Sequence, residues 1–182
     1  MSSQSPAERF GDVTFAIKDH VATVTIDRPA ARNALSESVR DGLDVSLERI
    51  RAGAGDEIRA VSLINLDLPV IAAVDGAAAG AGFSLALACD FILASPRARF
   101  IMSFARIGLV PDWGAFYLLP RIVGLQMAKE LVFSARTVDA DEAKSLGIVH
   151  RIHPADGLAA AAQAFAARFN DPSPLAIGLA KQ

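Results

Sequence analysis

The chain has 182 residues, 52% of them hydrophobic and 21% charged, with a formal net charge of −2. That suits one domain with a sizeable core and gives no basic surplus for nucleic acid as a main partner, while leaving room for a local cationic patch. The single cysteine, Cys89, excludes an internal disulfide, and no Cys/His spacing suits zinc, so no metal is expected.

The polar start, MSSQSPAERFGD, lacks the apolar core of a secretory signal. It reads as a flexible N-terminus over residues 1–12, with a folded domain over 13–182. Val13, Phe15 and Ile17 alternate with polar or small residues, Lys18-Asp19-His20 turns, and Val21–Ile26 is β-rich, which predicts a hairpin. Asp27-Arg28-Pro29 ends it. Ser36 reads as the N-cap of a helix over about 37–51, with Val39, Leu43, Leu47 and Ile50 on one face. A strand begins at Ile58–Val61, and Ser62–Leu68 reads as the tail of an amphipathic helix. A strand running into a helix tail without a loop is poor punctuation.

Val70–Val74 is a buried strand, Gly76–Gly82 a glycine and alanine loop, and a helix follows to about Cys89. This most apolar stretch is interrupted by Asp75, its glycines and Asp90, so no membrane span of about 18 apolar residues is expected, and the location expected is cytoplasmic. Strands follow at Phe91–Ala94 and Arg99–Met102, then helices at Trp113–Leu119 and Leu125–Phe133. Asp139 and Glu142 have capping-box spacing, Gly147 stops that helix, Ile148–Ile152 is strand-like, and Ala155–Phe169 is an alanine-rich helix. Alternating strands and helices predict an α/β layered domain.

Small residues between a buried strand and a helix let a ligand approach the backbone, and free amides at the helix start can hold a phosphate or a developing oxyanion. Taken alone, the same glycines and alanines are explained by tight helix–strand packing, and no Gly-Lys-Ser/Thr follows to make a P-loop.

The full stretch Val70–Asp90, VIAAVDGAAAGAGFSLALACD, with IGLVPD over Ile107–Asp112, resembles the enoyl-CoA hydratase/isomerase (crotonase) superfamily. Leu118–Arg121, Val123-Gly124, Ala128–Leu131 and Asp141–Val149 fit its later blocks in order, and Arg28-Pro29 with Arg32–Leu35 matches its opening. The resemblance implies a crotonase (ClpP/crotonase-like) spiral of ββα units that binds acyl-CoA substrates, with coenzyme A as part of the substrate and no separately bound cofactor. It implies a homotrimer or dimer of trimers, a backbone oxyanion donor at Ala81 beside Gly80, and Arg28, Ala30 and Arg32 near the coenzyme's nucleotide end. For an isolated arginine such as Arg28, a solvated surface role is the alternative.

Hydration of an enoyl thioester needs two carboxylates sharing a water. The family's two glutamate positions hold Ser84 and Phe104 here, so ordinary hydration is not expected. Asp112 is the remaining acid: either a helix N-cap or, by resemblance, the acting aspartate of isomerases and dehalogenases, shuttling a proton or attacking as a nucleophile. The VPDWG stretch resembles the isomerase branch, including 2-(1,2-epoxy-1,2-dihydrophenyl)acetyl-CoA isomerase-like enzymes of aromatic acid catabolism. Phe83, Phe104, Trp113, Phe116 and Tyr117 are candidates to line an apolar acyl pocket, with core packing the alternative for Phe83 and Phe116. His20, His150 and His153 have no partner carboxylate at catalytic spacing, and Cys89 reads as a small buried residue.

The family pattern also has a loop after the strand that ends here near Val61, carrying the first oxyanion donor, and longer C-terminal helices. The motif of that loop is absent between Arg59 and Leu68. A mobile stretch left out at Val61–Ser62 or an internal deletion both explain the junction, and its poor punctuation favours the first.

Overall fold

Alternating apolar residues build the first sheet. In the computed structural model, which describes residues 6–26, 28, 35–52 and 66–181, strands β1 (Glu8–Phe10), β2 (Val13–Lys18) and β3 (Val21–Ile26) pair antiparallel in that order. Lys18 pairs with Val21, leaving Asp19 and His20 as a two-residue turn with φ of 49° and 63°. That is the left-handed geometry that matches the twist of a tight hairpin. Pairing begins at Glu8, inside the stretch expected to be flexible: Glu8 stands opposite Phe15 and its carboxylate meets Arg49 at 2.7 Å.

Arg49 lies on α1 (Glu37–Ala52), whose first turn is capped as expected, the Val39 amide donating to Ser36 Oγ at 3.3 Å. Helix α1 lies close against the sheet at Gly42. A Cβ there would stand 2.5 Å from the Phe10 carbonyl oxygen and 2.8 Å from Val13 Cβ, so only glycine permits this approach. Val39 and Leu47 are buried on the inner face. The expected strand at Ile58–Val61 and the Val61–Ser62 junction lie outside the described residues; residues 66–68 are not helical.

From residue 71 the chain winds. Strand β4 (Ile71–Val74), strand β5 (Ala77–Ala79) and helix α2 (Ala81–Leu87) make one turn; β6 (Phe91–Ala94) and β7 (Arg99–Ile101) begin the next. β4 pairs parallel with β6, Ile71 opposite Phe91, and β5 pairs parallel with β7, Ala77 opposite Arg99. Two strands stepping sideways together, with a helix closing each step, are the expected spiral of ββα units. The glycine and alanine content of Gly76–Gly82 predicts a loop at Ala77–Ala79, since alanine is a poor strand former; pairing with β7 overrides that propensity.

A 3-10 turn at Ser103–Ile107 follows, then α3 (Ala115–Val123) and α4 (Leu125–Ser134). Helix α3 starts two residues later than expected because Trp113 and Gly114 both have positive φ, 52° and 80°. Strand β8 (Thr137–Asp139) pairs antiparallel with β7, and β9 (Arg151–Ile152) joins β6. Between them α5 (Ala140–Ser145) carries half of the expected capping box: Asp139 Oδ1 accepts the Glu142 amide at 2.9 Å. The Glu142 carboxylate is engaged instead by Arg136, at 2.6 and 2.9 Å.

Helices α6 (Leu158–Ala167) and α7 (Pro174–Lys181) close the chain. Lys181 Nζ donates to the Leu68 carbonyl at 2.8 Å and to Asp90 Oδ2 at 2.7 Å, and the same carboxylate oxygen accepts the Val70 amide. The end of α7 is thereby held over the entry to β4. The main core lies inside the spiral, where Phe83 meets Phe100 at a centroid distance of 5.3 Å beside Met102 and Leu119. Each such buried side chain contributes about 1.5–3 kcal/mol. A second cluster packs Phe91, Phe165 and Phe169 under α6. Among the described residues no helix is long and apolar enough to cross a membrane, and no His, Cys, Asp or Glu group could hold a metal ion.

Candidate active site

The site is organised by the turn from β5 into α2. Gly80 makes that turn with φ 53°. Its amide donates to the Ile101 carbonyl of β7 at 2.9 Å, and its own carbonyl accepts the Phe83 and Ser84 amides at 3.0 Å. The Ala81 and Gly82 amides precede the first closed helical turn, so the helix itself offers them no acceptor. Neither donates to any described residue. Beside them the wall is open: a Cβ built on Gly82 meets nothing within 4 Å.

The second wall comes from the 3-10 turn. A Cβ on Gly80 would stand 3.1 Å from Ser103 Oγ and 3.8 Å from Phe104 Cζ, so the fold brings Gly80 and Phe104 together. Two bonds hold the turn there: Arg106 donates to the Ala135 carbonyl at 2.6 Å, and the Leu109 amide donates to the Phe104 carbonyl at 3.0 Å. Phe104 is buried. Ser84 is fully buried and its hydroxyl donates to the Gly80 carbonyl at 3.3 Å. At neither position is there an acid to polarise water.

Asp112 lies beyond the turn, after buried Pro111, and is exposed. Its carbonyl accepts the Ala115 amide at 3.0 Å. Its carboxylate makes no hydrogen bond or ion pair among the described residues, and α3, preceded by left-handed Gly114, has no side-chain cap. The simple N-cap alternative is therefore not what Asp112 does. Exposed as it is, it is not enclosed by any apolar wall of the described residues. Trp113 beside it is half-buried and sits in the left-handed region, a conformation that costs a non-glycine residue about 1–3 kcal/mol and tends to gather at functional sites.

The remaining candidates are dispersed. Phe83 is in the core against Phe100, whereas Phe116 and Tyr117 are exposed, the Tyr117 ring lying under Arg121 at 3.4 Å. Arg28 is half-buried and ion-paired with Asp12 at 2.8 Å. Ala30 and Arg32 lie outside the described residues. The Cys89 thiol donates to the Leu85 carbonyl at 3.5 Å, and burial pushes it up to about 12, so it is no nucleophile.

Two features escaped sequence reasoning. Ser103 carries no motif, and only tertiary contact places its hydroxyl at Gly80. Asp75 looked like a mere interruption of an apolar run; its carboxylate accepts from Ser95 Oγ and Arg97 Nε, each at 2.6 Å. Hydrogen bonds from Arg97, and then from Ser95, hold its carboxyl down at about 2. The clamp joins the ends of β4 and β6, just before the chain enters β5.

With this geometry, similarity to known proteins becomes informative. The enoyl-CoA hydratase/isomerase family pattern matches residues 57–182. The short-chain-enoyl-CoA hydratase of Clostridium acetobutylicum is 32% identical over 199 positions, covering 89% of this chain and 76% of its own length. Since 89% of 182 residues is about 162, about 37 of those 199 positions have no counterpart in this chain. An enoyl-CoA hydratase/isomerase crystal structure from Cupriavidus metallidurans CH34 is 37% identical with a TM-score of 0.89, over 96% of this chain and 80% of that one. A structure from Thermobifida fusca YX in complex with acetoacetyl-CoA is 28% identical with a TM-score of 0.81, over 94% of this chain and 85% of that one.

Proposed function

Because the chain belongs to the enoyl-CoA hydratase/isomerase family, we propose that it acts on acyl-CoA thioesters as a double-bond or ring isomerase. In this reading the thioester oxygen rests on the Ala81 amide as it becomes enolate-like, a donor of the kind worth about 3 kcal/mol of transition-state stabilisation. Asp112 takes a proton from one carbon and returns it to another, which needs a single carboxylate.

One observation carries the isomerase over the hydratase that the relatives' names suggest. Both hydratase acid positions are closed to that role, by Ser84 bonded into its own helix and by buried Phe104, while the Asp112 carboxylate has no partner among the described residues. Wild-type protein is expected to isomerise an enoyl-CoA or ring-epoxide thioester without adding water. Asp112→Asn should lower kcat about 10²–10⁴-fold, the usual worth of a positioned acid or base, while acyl-CoA binding persists. Unchanged turnover would reject Asp112. A panel read by product mass separates the alternatives: hydration, thioester hydrolysis or dehalogenation would replace the isomerase reading, and binding with no turnover would make the chain a non-catalytic CoA-binding relative.

Within this reading the first oxyanion donor of the family pattern belongs near Val61–Ser62, outside the described residues. The chain assembles as a homotrimer, or a dimer of trimers, that covers Ile107, Leu109, Val110, Phe116 and Phe133, all more than half exposed in the single chain. Light scattering at three or six times 19.1 kDa supports that assembly, and a monomer refutes it.

A further inference from the structure

Among the described residues the reading above gives the thioester oxygen one protein donor, the Ala81 amide, and an oxyanion held by a single hydrogen bond is under-stabilised. Ser103 stands where a second donor is needed. It opens the 3-10 turn that packs on Gly80, and its Oγ lies 3.1 Å from the point a Gly80 Cβ would occupy, one residue from Ala81. The residue is half-buried, so the hydroxyl is sheltered but reachable. It makes no hydrogen bond to any described residue, and as the first residue of its turn it has no helical carbonyl four residues back to bond to. A hydroxyl carries one rotatable O–H donor and can turn it toward an incoming acceptor. Gly80 has no side chain to block the gap, and any Cβ there would crowd Ser103 at a distance tighter than ordinary contact.

We propose that Ser103 is a substrate-contacting residue whose hydroxyl donates the second hydrogen bond to the thioester oxygen, beside the Ala81 amide. The inference rests on the acyl-CoA reading and extends it: it assigns a side chain to an oxyanion site that otherwise has backbone alone. No bond is made or broken at Ser103. The serine proton stays on its oxygen and is shared with the enolate oxygen while charge resides there.

The test reads the carbonyl directly. The infrared stretch of acetoacetyl-CoA carrying a carbon-13 thioester carbonyl is recorded free, bound to wild type, and bound to Ser103→Ala and Ser103→Thr. Hydrogen-bond donation lowers the stretch on binding to wild type; part of that shift is expected to vanish in Ser103→Ala and to survive in Ser103→Thr, which keeps the hydroxyl. Isomerase kcat should fall about 10²-fold in Ser103→Ala, with KM nearly unchanged and most of the rate restored by threonine. Bound stretches that coincide in wild type and Ser103→Ala overturn the Ser103 assignment and leave the acyl-CoA reading standing. No binding of the thioester to wild type overturns both. Loss of rate in Ser103→Ala with an unmoved carbonyl stretch assigns Ser103 a packing role and also overturns the proposal.

Discussion

The Asp75 clamp gives the sharpest stability prediction. Asp75→Ala removes the acceptor of the Ser95 hydroxyl, which is fully buried. A buried donor left without a partner costs about 1–3 kcal/mol. The lost ion pair adds little, since the Arg97 side chain is 68% exposed and solvent screens it. The expected loss is about 1–3 kcal/mol, and for a domain of this size that lowers Tm by about 2–12 °C. Asp75→Asn keeps an oxygen for Ser95 and loses only the charge, so a smaller loss than in Asp75→Ala is expected.

The pH dependence follows from the same contacts. The folded carboxyl titrates at about 2 against an ordinary 3.8, so its charge stabilises the fold at pH values above 3.8, and that contribution is lost as pH falls toward 2. Urea unfolding followed by circular dichroism at neutral pH, pH 4 and pH 3 should show the gap between wild type and Asp75→Asn full at neutrality and about half gone at pH 3. Wild-type stability in Asp75→Ala, or a gap that does not shrink on acidification, would refute the argument.

Gly80→Ala places a side chain at φ 53° and 3.1 Å from Ser103 Oγ. It should cost about 1–3 kcal/mol in thermal unfolding and reduce kcat by displacing the Ala81 amide; unchanged Tm and rate would contradict the tight approach. Cys89, its thiol held up at about 12 by burial, should resist iodoacetamide in the native protein at mildly alkaline pH and react once denatured. Intact mass reads both states, and rapid native labelling would show the thiol to be open. The Asp112→Asn and Ser103→Ala outcomes complete the set and report on chemistry, since neither residue carries a structural hydrogen bond through its side chain among the described residues.

Much of the fold was legible because local patterns and tertiary contacts agree. Alternation at Val13, Phe15 and Ile17 marks β2, Ser36 caps α1, and Asp139 caps α5. Agreement failed where long-range contact outweighed propensity. Ala77–Ala79 is a strand only because β7 pairs with it, and α3 starts late because Trp113 and Gly114 turn left-handed ahead of it.

At the site, the residue types alone determined what is chemically missing. Serine and phenylalanine at positions 84 and 104 supply no carboxylate under any packing, which leaves Asp112 as the candidate acid. The ordered blocks from Val70 to Val149 likewise determined the family. Only the tertiary structure decided which groups meet. It carried Ser103 and Phe104 across to Gly80, gave the carboxylate of Asp75 to Ser95 and Arg97, and left that of Asp112 without a partner among the described residues. The physical reason is range: capping and periodicity act within a few residues along the chain, whereas an oxyanion site is assembled from hydrogen-bond donors about 3 Å from one substrate atom, which only the winding of the spiral can bring together.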